Sequence, residues 1–285
     1  MDSGPSTPLP MEYLPLRQVP LPADTEHLYQ EWLEWLDAAL DDPQCDRNEL
    51  CRRVLTDLHY PHLADADPAS LPRGTRVALA QMDPRNVTLE PEYYADIDEE
   101  RYARVKPLQW MWEMFDRSGL GENVALGVRF RRILARRIFR RCGRNFKAFH
   151  HVKFSFGYNL EVGDNVVVHR HVLLDDRGGI RLGNGVSVSD FANIYSHTHD
   201  VVDARVVASP PTVIGSGVRI AYHATVLAGV TMAQDSMLGA CSVLTKDTQP
   251  HWVYVGTPAK PIKEKDPERR AGKAAPTLDP LADPE

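Results

Sequence analysis

From Val213 onward the chain repeats an aliphatic residue followed by a small or polar one, with a step of six. The pairs are Ile214-Gly215, Ile220-Ala221, Val226-Leu227, Met232-Ala233, Leu238-Gly239 and Leu244-Thr245. The same ruler fits upstream at Val162-Gly163, Val168-His169 and Leu174-Asp175. After two residues inserted around Arg177-Gly178-Gly179 it resumes at Leu182-Gly183, Val188-Ser189 and Ile194-Tyr195. An amphipathic helix repeats near 3.6 and a half-buried strand near 2, so a step of six fits neither alone. It fits a parallel β-helix built from hexapeptides, three faces to a coil, with the aliphatic residue pointing into the column. The following residue is expected to be small because it sits at a tight corner. Stacked coils bury one continuous core.

The period breaks at DVVDARVVASPP, residues 200–211, and restarts after Pro210-Pro211. Insertions in a solenoid project as loops from one face, often the binding face. NIYSHTHD, residues 193–200, lies at the root of this loop and carries His197 and His199.

Ahead of the repeat the pattern is helical. Over residues 25–65, Leu28, Trp32, Trp35, Leu36, Ala39 and Leu40 share one face at i, i+3, i+4 spacing. A second helical segment is predicted within 88–115, ending in WMWEMF. RFRRILARRIFRRCGR, residues 129–144, carries eight arginines on a partly apolar helix. Such a helix suits an anionic membrane surface, but a solenoid also needs a cap over its open end, and the cap is the favoured reading. The chain divides into a helical region over 1–125 (1–20 disordered), a capping helix over 126–147, a β-helix over 148–264 and a disordered tail over 265–285.

Composition narrows the class. The formal charge of −6 argues against a nucleic-acid binder. Four cysteines without a CxxC pair read as reduced thiols, and the first residues lack the basic and apolar parts of a signal peptide, so the expected location is cytoplasmic.

Residues 144–263 resemble the hexapeptide-repeat acetyltransferases, particularly the sugar O-acetyltransferase branch that includes galactoside, maltose and nodulation-factor enzymes. FGYNLEVGDNVVV, LLDDRGGIRLGNGVSVSD, NIYSHTHD, GVTMAQDSMLGACSVLTKD and VGTPAKPIK carry the resemblance. It implies a left-handed parallel β-helix, a homotrimer with active sites between columns, and acetyl-CoA as donor without a metal. It also implies a general-base histidine just before the projecting loop. Counted from the Gly183–Gly185 turn, that histidine is His199. Imidazole titrates near working pH, which suits it to take a proton from an acceptor hydroxyl. Its other nitrogen needs a partner: Asp200, a backbone carbonyl or water.

By family position, Ala240 and Thr245 meet the pantetheine arm through the backbone, Lys246 and Lys263 approach the nucleotide phosphates, and Tyr222 is a further donor-binding candidate. His223 either meets pantetheine or is a surface residue. The acceptor side departs from the family: His169 or His171 replaces an asparagine, and Ser155 replaces an aspartate. Asp175 and Asp176 keep their places, and His197 lies near the cleft. The resemblance implies a saccharide or other hydroxylated molecule as acceptor. Competing readings are N-acetylation of an amino sugar, a γ-carbonic-anhydrase-like zinc site formed by histidines, and a non-catalytic trimeric scaffold.

Overall fold

The computed structural model describes residues 17–268. The disorder expected for 1–20 and 265–285 therefore falls mostly outside the described residues. Lys265, at the start of that tail, is held: its ammonium lies 2.8 Å from Asp235.

Among the described residues five α-helices precede the solenoid: α1 (Ala23–Asp41), α2 (Arg47–His59), α3 (Arg73–Ala80), α4 (Glu99–Arg117) and α5 (Val124–Ile138). Asp46, Asp98 and Asn123 cap α2, α4 and α5 by accepting backbone N–H groups of the first turn. The buried stripe of α1 is Leu33, Leu36 and Leu40. Leu28 and Trp35, assigned above to the apolar face, are exposed. The stripe is rotated because Trp32 stacks on Phe130 of α5, with centroids 5.6 Å apart, and Arg53 covers Trp35.

The β region is a left-handed parallel solenoid of about six turns. Its first face joins 141–142, 160–162, 180–182, 212–214 and 231–232. The second joins 147–148, 167–168, 187–188, 219–220, 237–238 and 252–256, and is closed by the antiparallel strand 259–264. The third joins 153–154, 173–175, 193–195, 225–226 and 243–244. Each aliphatic residue of the sixfold ladder, from Val162 to Leu244, is buried. A second inward position lies four residues on, at Val166, Val172, Val186, Ala192, Val218, Ala224 and Val230. Each large aliphatic side chain so buried stabilises the column by about 1.5–3 kcal/mol.

The reason for small residues after the aliphatic one differs from the expectation. The tight corner falls three residues after the aliphatic one, where Asn165, His171, Gly185, Phe191, Gly217, His223, Gly229, Asp235 and Cys241 take left-handed φ. The glycine immediately after the aliphatic residue is needed because the next coil crowds it. A Cβ on Gly215 would lie 2.7 Å from the Gln234 nitrogen and 2.9 Å from the Met232 oxygen.

Helix α5 closes the first coil. Leu134 and Ile138 pack in the same core as Phe146, Ala148 and Phe154. Two of its arginines are buried rather than presented outward. Arg131 pairs with Asp116 and donates to the Ala148 carbonyl, and Arg132 donates to the Phe146 carbonyl. The Asp116 carboxylate also accepts the His151 N–H, joining α4, α5 and the first coil. Among the described residues no helix is long and apolar enough to cross a membrane.

Replacing Gly215 by Ala is expected to destabilise the protein by about 1–3 kcal/mol through overpacking. Gly185→Asn should be close to neutral: its corner is open, and the stacked positions Asn145 and Asn165 already hold the left-handed conformation. Urea unfolding of the two variants checks the contrast.

Candidate active site

The projecting loop leaves the third face after Tyr195 and rejoins the first face at Thr212. Both ends are pinned by buried hydroxyls. Ser196 Oγ donates to the Asp175 carbonyl at 2.6 Å and accepts the Gly178 N–H at 2.9 Å. Thr212 Oγ1 donates to the Tyr195 carbonyl at 2.7 Å and accepts the Gly229 N–H at 3.0 Å. Gly178 has no room for a side chain, since a Cβ there would lie 2.3 Å from the carbonyl oxygens of Ser196 and Ser209. Between the pinned ends, Thr198 pairs with Ala208 and His199 with Val207 in a short antiparallel hairpin.

This hairpin settles the partner of His199. Its Nδ1 lies 2.6 Å from the Ala204 carbonyl oxygen. A carbonyl only accepts, so Nδ1 carries the proton, and Nε2 of the neutral ring keeps its lone pair. Asp200 is engaged elsewhere. Its carboxylate accepts the N–H groups of Val202 and Asp203, which form the turn and hold it below the usual carboxylate range.

His197 has a different anchor. Its Nδ1 meets the carboxylate of Asp175, which is 3% exposed and also accepts the Ser155 hydroxyl at 2.9 Å. The two imidazoles stand edge to face, with centroids 5.3 Å apart at 82°. Asp176 points away from this group. It is fully buried, and its oxygens accept the Phe156 N–H at 2.7 Å and the Asn159 N–H at 3.1 Å. Its carboxylate thus holds a turn, and burial pushes its pKa up to about 6.

The other candidates divide between two corners of the column. Ser155, Asp175, His197, His199, Thr245 and Lys246 lie where the third face turns toward the first. His169, His171, Tyr222 and Ala240 lie where the second turns toward the third. His169 stacks on Phe149 at 5.0 Å, and burial lowers its pKa. His171 stacks between His151 and Phe191, and Phe191 in turn meets His223 at 4.9 Å. Tyr222, Ala240, Thr245, Lys246 and Lys263 are exposed. Lys246 and Lys263 make no ion pair among the described residues. One column therefore does not bring the whole candidate set together. No three metal-ligating side chains converge among the described residues of this chain.

Sequence reasoning missed one support of the site. Asp96, from the helical region, pairs with Arg177 at 3.0 Å and accepts the Ser209 hydroxyl at 3.5 Å, gripping both sides of the loop's root. Arg177 also lies over the Tyr94 ring, 4.1 Å from its centroid. No spacing signal links residues so far apart in sequence.

Fold and loop define a hexapeptide-repeat solenoid with a histidine-bearing insertion. No family profile matches the chain. The chain is similar to galactoside O-acetyltransferase of Escherichia coli K12, 29% identical over 141 residues, which are 48% of this chain and 70% of that protein. It is 32% identical over 118 residues to a Staphylococcus aureus protein named as an acetyltransferase, spanning 40% of this chain and 59% of that protein's length. Among solved structures it is similar to a maltose O-acetyltransferase from Clostridium difficile, with TM-score 0.53 and 25% identity over 61% of this chain and 92% of that one. A galactoside acetyltransferase in complex with coenzyme A gives TM-score 0.53 and 27% identity over 60% of this chain and 84% of that one. In sequence and fold, the solenoid resembles the hexapeptide-repeat acetyltransferases. The maltose enzyme's match leaves about two-fifths of this chain without a counterpart.

Asp176 supplies a pH test. An aspartate in the unfolded chain titrates near 3.8, and burial raises the folded value to about 6. Its contribution to stability is thus fully present below about pH 4 and is lost as pH rises through about 6. The change is about 3 kcal/mol. Urea midpoints from pH 4 to 7 should contain this fall in the native protein and lack it in Asp176→Asn.

Proposed function

We propose that this protein is an acetyl-CoA-dependent O-acetyltransferase whose acceptor is a hydroxyl of a saccharide or glycoconjugate. The observation that carries the reading is His199 at the root of the loop. The Ala204 carbonyl fixes its tautomer and leaves Nε2 as an acceptor. Similarity to sugar O-acetyltransferases, one of them solved with coenzyme A, supports both the donor and the acceptor class.

In this reaction the acceptor oxygen attacks the thioester carbonyl while His199 Nε2 takes the hydroxyl proton. The tetrahedral intermediate collapses with cleavage of the carbon–sulfur bond. The imidazolium returns its proton to the departing thiolate, leaving an acetyl ester and free coenzyme A. No acyl-enzyme forms. Lys246 and Lys263 are the proposed phosphate contacts, because each carries an exposed charge without an ion-pair partner among the described residues.

We further propose a homotrimer. Candidate acceptor and donor residues occupy two corners of one column, and packing the loop corner of one copy against the other corner of its neighbour would bring them into one cleft. A cytoplasmic location fits the four free cysteines.

Thiol release from acetyl-CoA with a panel of sugars and nucleotide sugars tests the reading. His199→Ala is expected to lose about a hundredfold or more in turnover while retaining coenzyme A binding by calorimetry. A native protein that neither releases thiol nor binds coenzyme A would sink it in favour of a non-catalytic scaffold.

A further inference from the structure

We propose that Asp175 and His197 position His199 and compensate the charge it acquires, so that the base of this site, His199, is backed by a second imidazole and one buried carboxylate. The proposal rests on the acetyl-transfer reading for its chemistry, but its geometry stands apart from it.

Asp175 sits at the end of the strand 173–175 on the third face. Its backbone carbonyl is fixed by both the N–H and the hydroxyl of Ser196. The residue is 3% exposed, and its side chain has two partners, the Ser155 hydroxyl and the Nδ1 of His197. An ionised carboxylate only accepts, so Nδ1 of His197 carries the proton. The ring is locked in one tautomer and one orientation, as a third group locks the base of a catalytic triad. His197 and His199 are two residues apart on an extended segment, so both side chains leave the same side. Their rings meet edge to face.

That arrangement has a consequence during proton transfer. When His199 takes the acceptor proton, it becomes a cation. The Asp175 carboxylate, itself buried, lies one imidazole behind the exposed His199, and a carboxylate held out of water is screened less than one in solution. The edge of a ring pointed at the face of its neighbour also fixes the angle at which Nε2 meets the acceptor. His197 is thus a positioning residue. The proton itself passes between the acceptor oxygen, His199 and the leaving thiolate, and none is lost to the pair.

Two variants separate the parts. Asp175→Asn keeps the shape and removes the charge, and His197→Gln keeps a donor toward Asp175 and removes the ring. Each is expected to lower kcat by about tenfold or more and leave the KM for acetyl-CoA within about twofold, since the interaction strengthens only in the transition state. A purely structural role would instead reduce the folded fraction, read by circular dichroism, with unchanged turnover per folded molecule. Nitrogen-15 spectra of the imidazoles give a readout that needs no acceptor. His197 should be the Nδ1–H tautomer, and Asp175→Asn should move the resonances of both His197 and His199. If Asp175→Asn leaves the His199 resonances in place, or either variant keeps native kcat, the proposal is overturned. If His197→Gln abolishes turnover while His199→Ala retains it, His197 is itself the base and the positioning role is wrong. Failure of the transferase reading shows separately, as absence of thiol release and coenzyme A binding in the native protein.

Discussion

The stacking of inward aliphatic side chains along the solenoid sets the position of every other group. Val162, Leu182, Ile214 and Met232 lie one above another on the first face, and the same order repeats on the other two. Each coil buries its face only against its neighbours. Parallel backbone hydrogen bonds hold adjacent coils in register, so a residue's place in the hexapeptide fixes the corner it occupies. The loop is pinned to this column at both ends, by the Ser196 and Thr212 hydroxyls.

The first coil and the loop are tied to the helical region by a few polar contacts, some of them buried. The Arg131–Asp116 pair closes the first coil under α5. Taking two charges out of water is costly, and the cost is offset only where other polar groups share the charges. Here the Ala148 and Gly121 carbonyls and the His151 N–H do so. Nearer the loop, Asp96 joins Arg177 and Ser209. The helical region thus supports the place where the chemistry is proposed to occur.

Two adjacent aspartates illustrate how environment divides chemical roles. Asp176 faces backbone N–H groups in a dry turn, and Asp175 faces a hydroxyl and an imidazole. Strand alternation sends neighbouring side chains to opposite sides. One carboxylate therefore holds a turn, and the other holds a hydroxyl and an imidazole at the root of the loop.

The sequence alone determined the solenoid, because an aliphatic step of six fits neither a helix nor a simple strand and does fit stacked hexapeptide coils. It also placed the histidine loop, since an insertion can leave a stacked column only at a corner. It did not determine the small-residue logic of the repeat, which depends on how closely the next coil approaches Gly163, Gly183 and Gly215. Nor did it choose the partner of His199, find the carboxylate behind His197, or distinguish the contacts of Asp175 from those of Asp176. Those outcomes depend on which groups meet across coils some twenty residues apart, as Ser155 meets Asp175. Local pattern reports the direction of a side chain, but its partners are set by register and by elements folded against it. Only the tertiary structure decides these.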